Sequence, residues 1–311
     1  MDGRNFRSHY YEKVGFRGVE EKKSLQILLK EDPLDIGKLS MFCLRFPLPV
    51  MFRPLVWKII LGIVPPHPST HDFVMQQRQE QFNDLRHALK VMALVDGETP
   101  LSGEFLKMFL LEERRLPLED EQLNFECLEE EAFVSLAETV IDLFDDEVDA
   151  YWVAVKIRRN MIDKDSILQL VSPVTYSCTW EEFQILLTLL TCSLPLRQSQ
   201  RFVMQLQKDD LQLMKHLEST GTLSRMGPVY KAWFGGIYAG VIPSGPLGRV
   251  WDRLLGGAGY ITAYVAQVFV MTYRRQLLGM TKYDAILQFL LKVPPDSAEV
   301  LVSEAIERWE S

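Results

Sequence analysis

The sequence has few cysteines, and they are not paired. Its 311 residues include four, at Cys43, Cys127, Cys178 and Cys192. None forms a Cys-x-x-Cys pair and none has a histidine at metal-ligand spacing, so the patterns of a disulfide framework and of a zinc site are both absent. We therefore expect reduced thiols in a cytoplasmic protein, with no bound metal.

Long hydrophobic runs and targeting signals are also missing. The longest apolar stretches, 185–196 and 260–271, fall short of the ~20 residues that a membrane-spanning helix needs. The N-terminus, MDGRNFRSHYYEKVGFRG, has neither the apolar centre of a signal peptide nor a myristoylation motif. Any association with membranes is therefore expected to come through a partner.

Positive charge is scarce as well. The sequence has 34 Lys and Arg residues against 42 Asp and Glu, which gives a net charge of −8 without any dense basic run. A nucleic acid partner is therefore not expected. Acidic residues concentrate between Glu119 and Asp149, with EEE at 129–131 and DDE at 145–147. Such a run is typical of a solvated acidic face, and a docking surface for a basic partner is the alternative.

Motifs of self-contained enzymes are absent from the sequence. It contains no GxxxxGK[ST] loop, no GxGxxG after a strand, no HExxH and no GxSxG. The histidines, at positions 9, 67, 71, 87 and 216, are scattered, and their spacing indicates no nucleophile or carboxylate partner. We expect no cofactor and no catalytic site formed by these motifs.

What the sequence does contain is helical periodicity. No alternation of apolar and polar residues is sustained over five positions, and neither Asp-Gly pair, at 2–3 and 96–97, is flanked by strand-like runs. The pattern predicts an all-α protein of roughly a dozen helices without significant sheet. A cap at Ser69 or Thr70 is expected to begin the longest of them. The predicted helices lie near 19–31, 35–46, 51–63, 70–94, 101–113, 129–144, 147–162, 199–218, 226–240, 246–256, 260–278, 282–291 and 296–309.

One stretch rich in glycine and proline, GVIPSGPLGRVWD at 240–252, suggests either a phosphate-binding loop or a corner between two helices. No strand precedes it and no Lys-Ser/Thr follows it, which favours the corner. Gly240 suits a left-handed turn at the end of one helix, and Pro243 prevents its continuation. Ser244 or Gly245 can cap the next helix, with a proline in its first turn.

Three spaced motifs carry a family resemblance. They are RPLVWKIILG at 53–62, DAYW at 149–152, and WFGGIYAGVIP at 233–243 followed by RVWD at 249–252. Together they resemble the TBC domain, the all-helical, two-lobed fold of Rab GTPase-activating proteins. The resemblance implies a TBC domain over 46–275, with the first helices of the fold in 1–45 and C-terminal helices in 276–311 packed on the domain. Its signature residues in this sequence are Arg53, Trp57, Trp152, Trp233, Arg249, Trp251 and Asp252.

The N-terminal sequence narrows this resemblance to one branch of the family. NFRS at 5–8, YYEKVGFRGVEEKKS at 10–24 and RFPLP at 45–49 are similar to the branch that supplies the small third subunit of the tuberous sclerosis complex. Residues 171–197, rich in Thr, Ser, Cys and Leu, have no counterpart in that branch. They are interpreted either as containing a short buried helix around 180–191 or as an insertion.

Catalytic TBC domains carry an Arg in IxxDxxR and a Gln in YxQ. The Arg neutralises charge on the transferring phosphoryl group and is worth about 10³–10⁵ in rate, while the Gln orients the attacking water. Alignment on Asp84 places His87 at the Arg position, whereas alignment on Leu85 places Val91 there. No Tyr-x-Gln occurs anywhere in the sequence. The resemblance therefore implies a domain without either catalytic residue. The alternative is an atypical activity that uses Arg86, which lies one residue from the expected position.

For a domain of this kind the resemblance implies a scaffold rather than an enzyme. Its direct partner would be a helix of the C-terminal coiled coil of hamartin, in a complex whose tuberin subunit activates GTP hydrolysis on Rheb and restrains mTOR growth signalling. Recruitment to lysosomal or vesicle membranes would then occur through the complex. Two alternatives are a Rab GTPase activator that uses Arg86 and a module that binds a GTPase without stimulating hydrolysis.

A partner helix needs an apolar groove. Leu101, Phe105, Met108 and Phe109 form an apolar stripe at helical spacing, and the flexible thioether of methionine suits a partner surface. Buried core is the alternative interpretation of the same stripe.

Overall fold

The structure, a computed structural model, describes residues 19–116, 128–162 and 194–311. Within these ranges it contains helices and no strand, which confirms the predicted all-α class. In chain order the described α-helices are α1 (Val19–Leu28), α2 (Ile36–Arg45), α3 (Arg53–Ile60), α4 (His71–Val91), α5 (Leu101–Glu112), α6 (Leu128–Leu143), α7 (Glu147–Ile157), α8 (Leu194–Asp209), α9 (Leu211–Ser219), α10 (Gly227–Tyr230), α11 (Ser244–Gly256), α12 (Ile261–Thr272), α13 (Arg274–Gly279), α14 (Tyr283–Leu290) and α15 (Pro295–Glu310).

Short turns of other helical types extend several of these elements. Among the described residues, 3₁₀ turns occupy Val50–Phe52, Pro68–Thr70 and Leu223–Arg225. π-helical turns occupy Arg158–Ile162 and Lys231–Gly235. None of the described helices is long and apolar enough to cross a membrane.

Several helix predictions require correction. The helix predicted over 260–278 is divided at Tyr273 into α12 and α13. In two other cases the reason is a local hydrogen bond. The helix predicted over 199–218 is divided at Asp210, whose carboxylate accepts a hydrogen bond from the backbone N–H of Leu213 at 2.9 Å and so begins α9. Thr70 does not cap α4 with its side chain, because its hydroxyl donates to the carbonyl of His67 at 2.8 Å within the preceding 3₁₀ turn.

At the corner over 240–252 the second helix forms as predicted, but the segment that connects it to the preceding helical stretch is longer than predicted. The helical stretch that carries Trp233 ends at Gly235 rather than beside Gly240. Gly240 still has a left-handed backbone, with φ +74°, and a Cβ there would lie 3.1 Å from Ser135 Oγ. Ile237 is also left-handed, at φ +45°, a strained conformation for a β-branched residue that is held by burial. Helix α11 then begins at Ser244.

By compactness the chain divides into two units, in agreement with the expected two lobes. The first unit comprises Met1–Asn124, Val140–Lys156 and Trp251–Ala258. The second unit comprises Phe125–Thr139, Ile157–Val250 and Gly259–Ser311. Neither unit follows the predicted domain limits of 1–45, 46–275 and 276–311, which stay a prediction.

The core of the first unit is aromatic. Trp57 packs against Trp251 and Phe144, with ring centroids 6.0 and 5.7 Å apart. A second cluster brings Phe105 and Tyr151 edge to face at 5.4 Å, and the ring of Phe82 joins both, with centroids within 6.1 Å. These contacts fix α3, α4, α5 and α7 within the unit.

A close approach between helices also shapes the first unit. Gly256, at the end of α11, comes so near to α2 that a Cβ there would lie 2.8 Å from the carbonyl oxygen of Ser40. One turn earlier, Nη1 of Arg253 donates to the carbonyls of Cys43 and Phe46, at 2.8 and 2.6 Å. The guanidinium thereby satisfies carbonyl groups that the end of α2 leaves open.

The second unit is organised around Trp233. Its ring packs against Phe202 on α8 and Phe269 on α12, with centroids 5.7 and 5.6 Å apart. Its indole N–H donates to the carbonyl of Leu290 at 2.9 Å. Helix α12, which is apolar around most of its circumference, packs against α8 and α15. Of the atypical segment 171–197, only residues 194–197, at the start of α8, are described, and the helix predicted around 180–191 lies outside the described residues.

Candidate functional site

Arg86, the residue nearest to the expected catalytic arginine, lies on α4 in the first unit. Its guanidinium makes a bidentate pair with Glu104 on α5, with Nε–Oε1 at 2.6 Å and Nη2–Oε2 at 2.8 Å. Nη1 also donates to Glu147 at the start of α7, at 3.0 Å. The same group lies 5.3 Å from the centroid of the Phe82 ring. Arg86 therefore joins three helices of the unit.

The charge of Arg86 is already matched by two carboxylates. The hydrogen bonds that Arg86 donates to Glu104 raise the pKa of its guanidinium above the ordinary value, and the hydrogen bond to Glu147 adds to this effect. A catalytic arginine must present its donors to phosphate oxygens. Arg86 would first have to give up three charge-assisted hydrogen bonds, two of them to the largely buried carboxylate of Glu104.

His87 and Val91, the residues that the two alignments place at the arginine position, are both exposed on α4. Neither side chain can supply a permanent positive charge with several donors, as an arginine does. Tyr-x-Gln does not occur in the sequence. At the positions that the resemblance assigns to the catalytic arginine, this chain therefore has side chains of different chemistry.

The best-defined polar constellation is structural. Arg53 donates from Nε and Nη2 to the two carboxylate oxygens of Asp252, at 2.9 and 2.8 Å, and the indole N–H of Trp57 donates to Oδ1 at 2.9 Å. All three side chains are buried. Burial raises the pKa of the Asp252 carboxyl, against the opposing effect of the Arg53 guanidinium. Nearby, Lys58 pairs with Asp149 at 2.6 Å, also within the first unit.

The remaining signature residues support their own units. Trp152 is buried in the first unit, where its N–H donates to the carbonyl of Arg78 at 3.1 Å. Trp251 is buried beside Trp57. In the second unit, Arg249 pairs with Glu299 on α15 at 3.0 Å.

The groove expected along α5 is not formed. Phe105, Met108 and Phe109 are buried, and Leu101 is half-buried. Even the charged side chain of Lys107 is buried, with its ammonium group donating to the carbonyl of Leu94 at 2.6 Å. The interpretation of this stripe as a partner-binding surface is therefore wrong for this conformation, because α5 packs inside the first unit on nearly every side.

Exposed apolar side chains lie elsewhere in the first unit. Val50 and Met51 are 67% and 66% exposed, side by side in the 3₁₀ turn that leads into α3. Sequence reasoning did not single them out: Met51 is the first residue of the helix predicted over 51–63, and Val50 directly precedes it. The two prolines of FPLP at 46–49, which precede a helix start, were the signal that these residues lie outside it.

Solved structures with the same fold are TBC domains. The Ypt/Rab-GAP domain of Gyp1p matches with a TM-score of 0.55 at 16% identity, covering 94% of this chain and 98% of that chain. The Chlamydomonas flagellar RabGAP TBC domain matches with a TM-score of 0.55 at 13% identity, covering 99% of this chain and 94% of that chain. At such low identity the likeness establishes the fold alone, and that fold is a TBC domain.

Curated relatives define the branch within this class. No family model matches the chain. It is 39% identical to TBC1 domain family member 7 of Danio rerio over 308 residues, which are 98% of this chain and 94% of the relative. The proteins of the same name from Bos taurus and Homo sapiens are each 38% identical with the same coverage. The chain belongs to the TBC1 domain family member 7 group of TBC-domain proteins.

Proposed function

We propose that this chain is a scaffold subunit that does not itself accelerate GTP hydrolysis. Its direct partner is a helix of the hamartin coiled coil, and its indirect partner is tuberin in the same complex. Through tuberin the complex activates GTP hydrolysis on Rheb and restrains mTOR growth signalling. The chain then acts in the cytoplasm and reaches lysosomal or vesicle membranes with its partners.

The observation that carries this proposal is the engagement of Arg86 by Glu104 and Glu147. Since an arginine finger is worth about 10³–10⁵ in rate, a domain whose nearest arginine is held in ion pairs lacks the main source of acceleration. The lack of any Tyr-x-Gln in the sequence removes the residue that would orient the water. Without these groups, the helical domain can still bind a partner protein through its surface.

The family relationship supports the choice of partner. The chain belongs with TBC1 domain family member 7 over nearly its whole length. The N-terminal motifs quoted above resemble the branch that serves the tuberous sclerosis complex. A Rab GTPase activator with an atypical arginine is the alternative, and the ion pairs of Arg86 disfavour it. A module that binds Rab proteins without stimulating hydrolysis would differ from the scaffold in preferring one nucleotide state.

An amphipathic helix binds where apolar side chains are exposed. In the first unit, Val50 and Met51 are adjacent and about two-thirds exposed. Phe105 and Met108 cannot serve, because they are buried. We therefore assign the contact with the partner helix to the surface around the 3₁₀ turn Val50–Phe52.

The test is a pull-down with an immobilised fragment of the hamartin coiled coil. The wild-type chain should be retained, and Met51→Asp should lower retention because it places a charge in the apolar contact. Val300→Asp is the matched control, since Val300 is 68% exposed on α15 in the second unit. No retention of the wild-type chain would contradict the scaffold function. Equal retention of both variants would leave that function standing and contradict the assigned surface.

A further inference from the structure

In the second unit, the neighbouring helices α8 and α9 carry exposed apolar and basic side chains. Met204 and Lys208 lie one turn apart near the end of α8, and Leu211 and Lys215 repeat the same pair on α9. Met204 is 70% exposed and Leu211 is 50% exposed, while both lysines are exposed. Each helix thus carries one large apolar side chain beside one ammonium group.

Helix α13 and the residues after it extend this surface. The guanidinium of Arg274, at the start of α13, pairs with the carboxylate of Asp210 and donates to Gln212 Oε1 at 2.7 Å. These contacts place the start of α13 next to Leu211, which lies between the two acceptors in sequence. Arg275 follows on α13 and is exposed.

A second contact fixes the other end of the same surface. Nε2 of His216 on α9 lies 2.8 Å from the carbonyl oxygen of Met280. Lys282, two residues further on, is exposed at the start of α14. We name the whole set the basic–apolar surface; its members are Met204, Lys208, Leu211, Lys215, Arg275 and Lys282.

The charge of this surface is opposite to that of the chain. Four of its members are basic, and the exposed Arg225 lies beside them, because its carbonyl accepts from Tyr283 at 3.0 Å. Two nearby carboxylates already have partners: Asp210 pairs with Arg274, and Asp209 accepts a hydrogen bond from Gln267. The other acidic residues on these elements are Glu218 and Asp284, both exposed. The local balance is therefore positive in a chain whose net charge is −8.

We propose that the basic–apolar surface contacts an anionic lipid bilayer. Lysine and arginine are attracted to anionic headgroups within a Debye length of the membrane. Exposed Met and Leu side chains between them can enter the boundary between headgroups and acyl chains, as in amphipathic segments that lie on membranes. An acidic peptide would use the basic groups but would leave both apolar side chains in water.

This inference goes beyond the scaffold function. In the scaffold proposal a partner brings the chain to a membrane, whereas here the chain has its own contact with the lipid. The two contacts lie on different units, since Val50 and Met51 belong to the first unit and the basic–apolar surface to the second. Each can therefore fail without the other.

The experiment is flotation of the full chain with vesicles of phosphatidylcholine alone or with about 30% phosphatidylserine, at low salt. Binding should be stronger by on the order of tenfold or more with the anionic vesicles. Lys215→Glu combined with Lys282→Glu should remove most of this gain. Lys23→Glu combined with Lys90→Glu makes the same change of charge at exposed positions of the first unit and should retain it.

A second variant tests the apolar part of the contact. Met204→Ser combined with Leu211→Ser should lower binding to anionic vesicles several-fold at unchanged charge. Equal binding to neutral and anionic vesicles, or equal loss in both charge variants, would overturn the proposal. An unchanged affinity of the serine variant for anionic vesicles would also overturn it. The same holds if the chain binds a polyglutamate peptide through Lys215 and Lys282 but does not bind the vesicles. Retention of the Lys215→Glu, Lys282→Glu variant by the hamartin fragment would show that the fold and the scaffold contact are intact.

Discussion

The guanidinium of Arg53 donates two hydrogen bonds to the carboxylate of Asp252, although 199 residues separate them in the sequence. Both side chains are buried, and the indole N–H of Trp57 donates to the same carboxylate. These three hydrogen bonds lie within the first unit. The pair is the polar centre of the TBC signature, and it holds α3 against the end of α11.

Replacement of Asp252 by Asn should destabilise the protein by about 3–5 kcal/mol, because the buried guanidinium of Arg53 would lose its counter-charge. The free energy of unfolding, measured with urea, checks this value. Asp284→Asn, at an exposed position on α14, is the control and should change stability little. A small effect at Asp252 would contradict a structural role for the triad.

Arg86 is predicted to be a structural residue. Arg86→Ala should cost about 1–3 kcal/mol of folding stability, because it leaves the largely buried carboxylate of Glu104 without its partner. Glu104→Gln should cost more than Glu147→Gln, since the side chain of Glu147 is 51% exposed. Urea unfolding of the three variants gives the ranking. An Arg86→Ala protein as stable as the wild type would argue that the guanidinium is free for another role.

Two glycines of α11 should respond differently to the same substitution. Gly256→Ala should destabilise by about 1–3 kcal/mol, because a Cβ would lie 2.8 Å from the backbone carbonyl of Ser40 and the helices would have to move apart. Gly245→Ala meets no atom within 4 Å and should be neutral or stabilising. Thermal unfolding of the two variants measures the difference. Equal effects would contradict the close packing of α11 on α2.

Stability should fall in acid partly through Asp210. The hydrogen bonds from Arg274, with that from the Leu213 N–H, hold the pKa of this carboxyl below its ordinary value. A lowered folded-state pKa gives stability that is fully present above the unfolded value of about 3.9 and is lost as pH falls through the folded pKa. Asp210→Asn should therefore be less stable than the wild type at neutral pH, and the difference should shrink below about pH 4. Urea unfolding across this range tests the sign, and a difference that grew in acid would contradict it.

Periodicity and proline positions predicted most of the helices. The start of α5 after Pro100 follows from a residue that restricts the backbone locally. Helix α3 instead ends at Ile60, before the left-handed Gly62, and not at Pro65 as predicted. The break between α8 and α9 was missed because the apolar stripe continues through Leu213 and Leu217 on the other side of it. The capping carboxylate of Asp210 sets that boundary, and the pattern of apolar residues does not reveal this cap.

The site was less predictable, since it depends on contacts between distant segments. Spacing placed Arg53 and Trp57 on one helical face but could not select Asp252 as their shared acceptor. Spacing also left two interpretations of α5 open, a partner groove and buried core. Only the packing of Phe105 between Phe82 and Tyr151 distinguishes the two. A linear motif likewise cannot identify the ion pairs that Arg86 forms with Glu104 and Glu147.

The proposed scaffold function requires that this TBC domain does not itself accelerate GTP hydrolysis. The direct measurement is single-turnover hydrolysis across a panel of Rab proteins, with and without the chain, and with a catalytic TBC domain as positive control. We predict no acceleration by the wild-type chain or by Arg86→Ala. Acceleration by the wild-type chain that is lost in Arg86→Ala, with the variant still folded, would contradict the account and make Arg86 a catalytic residue.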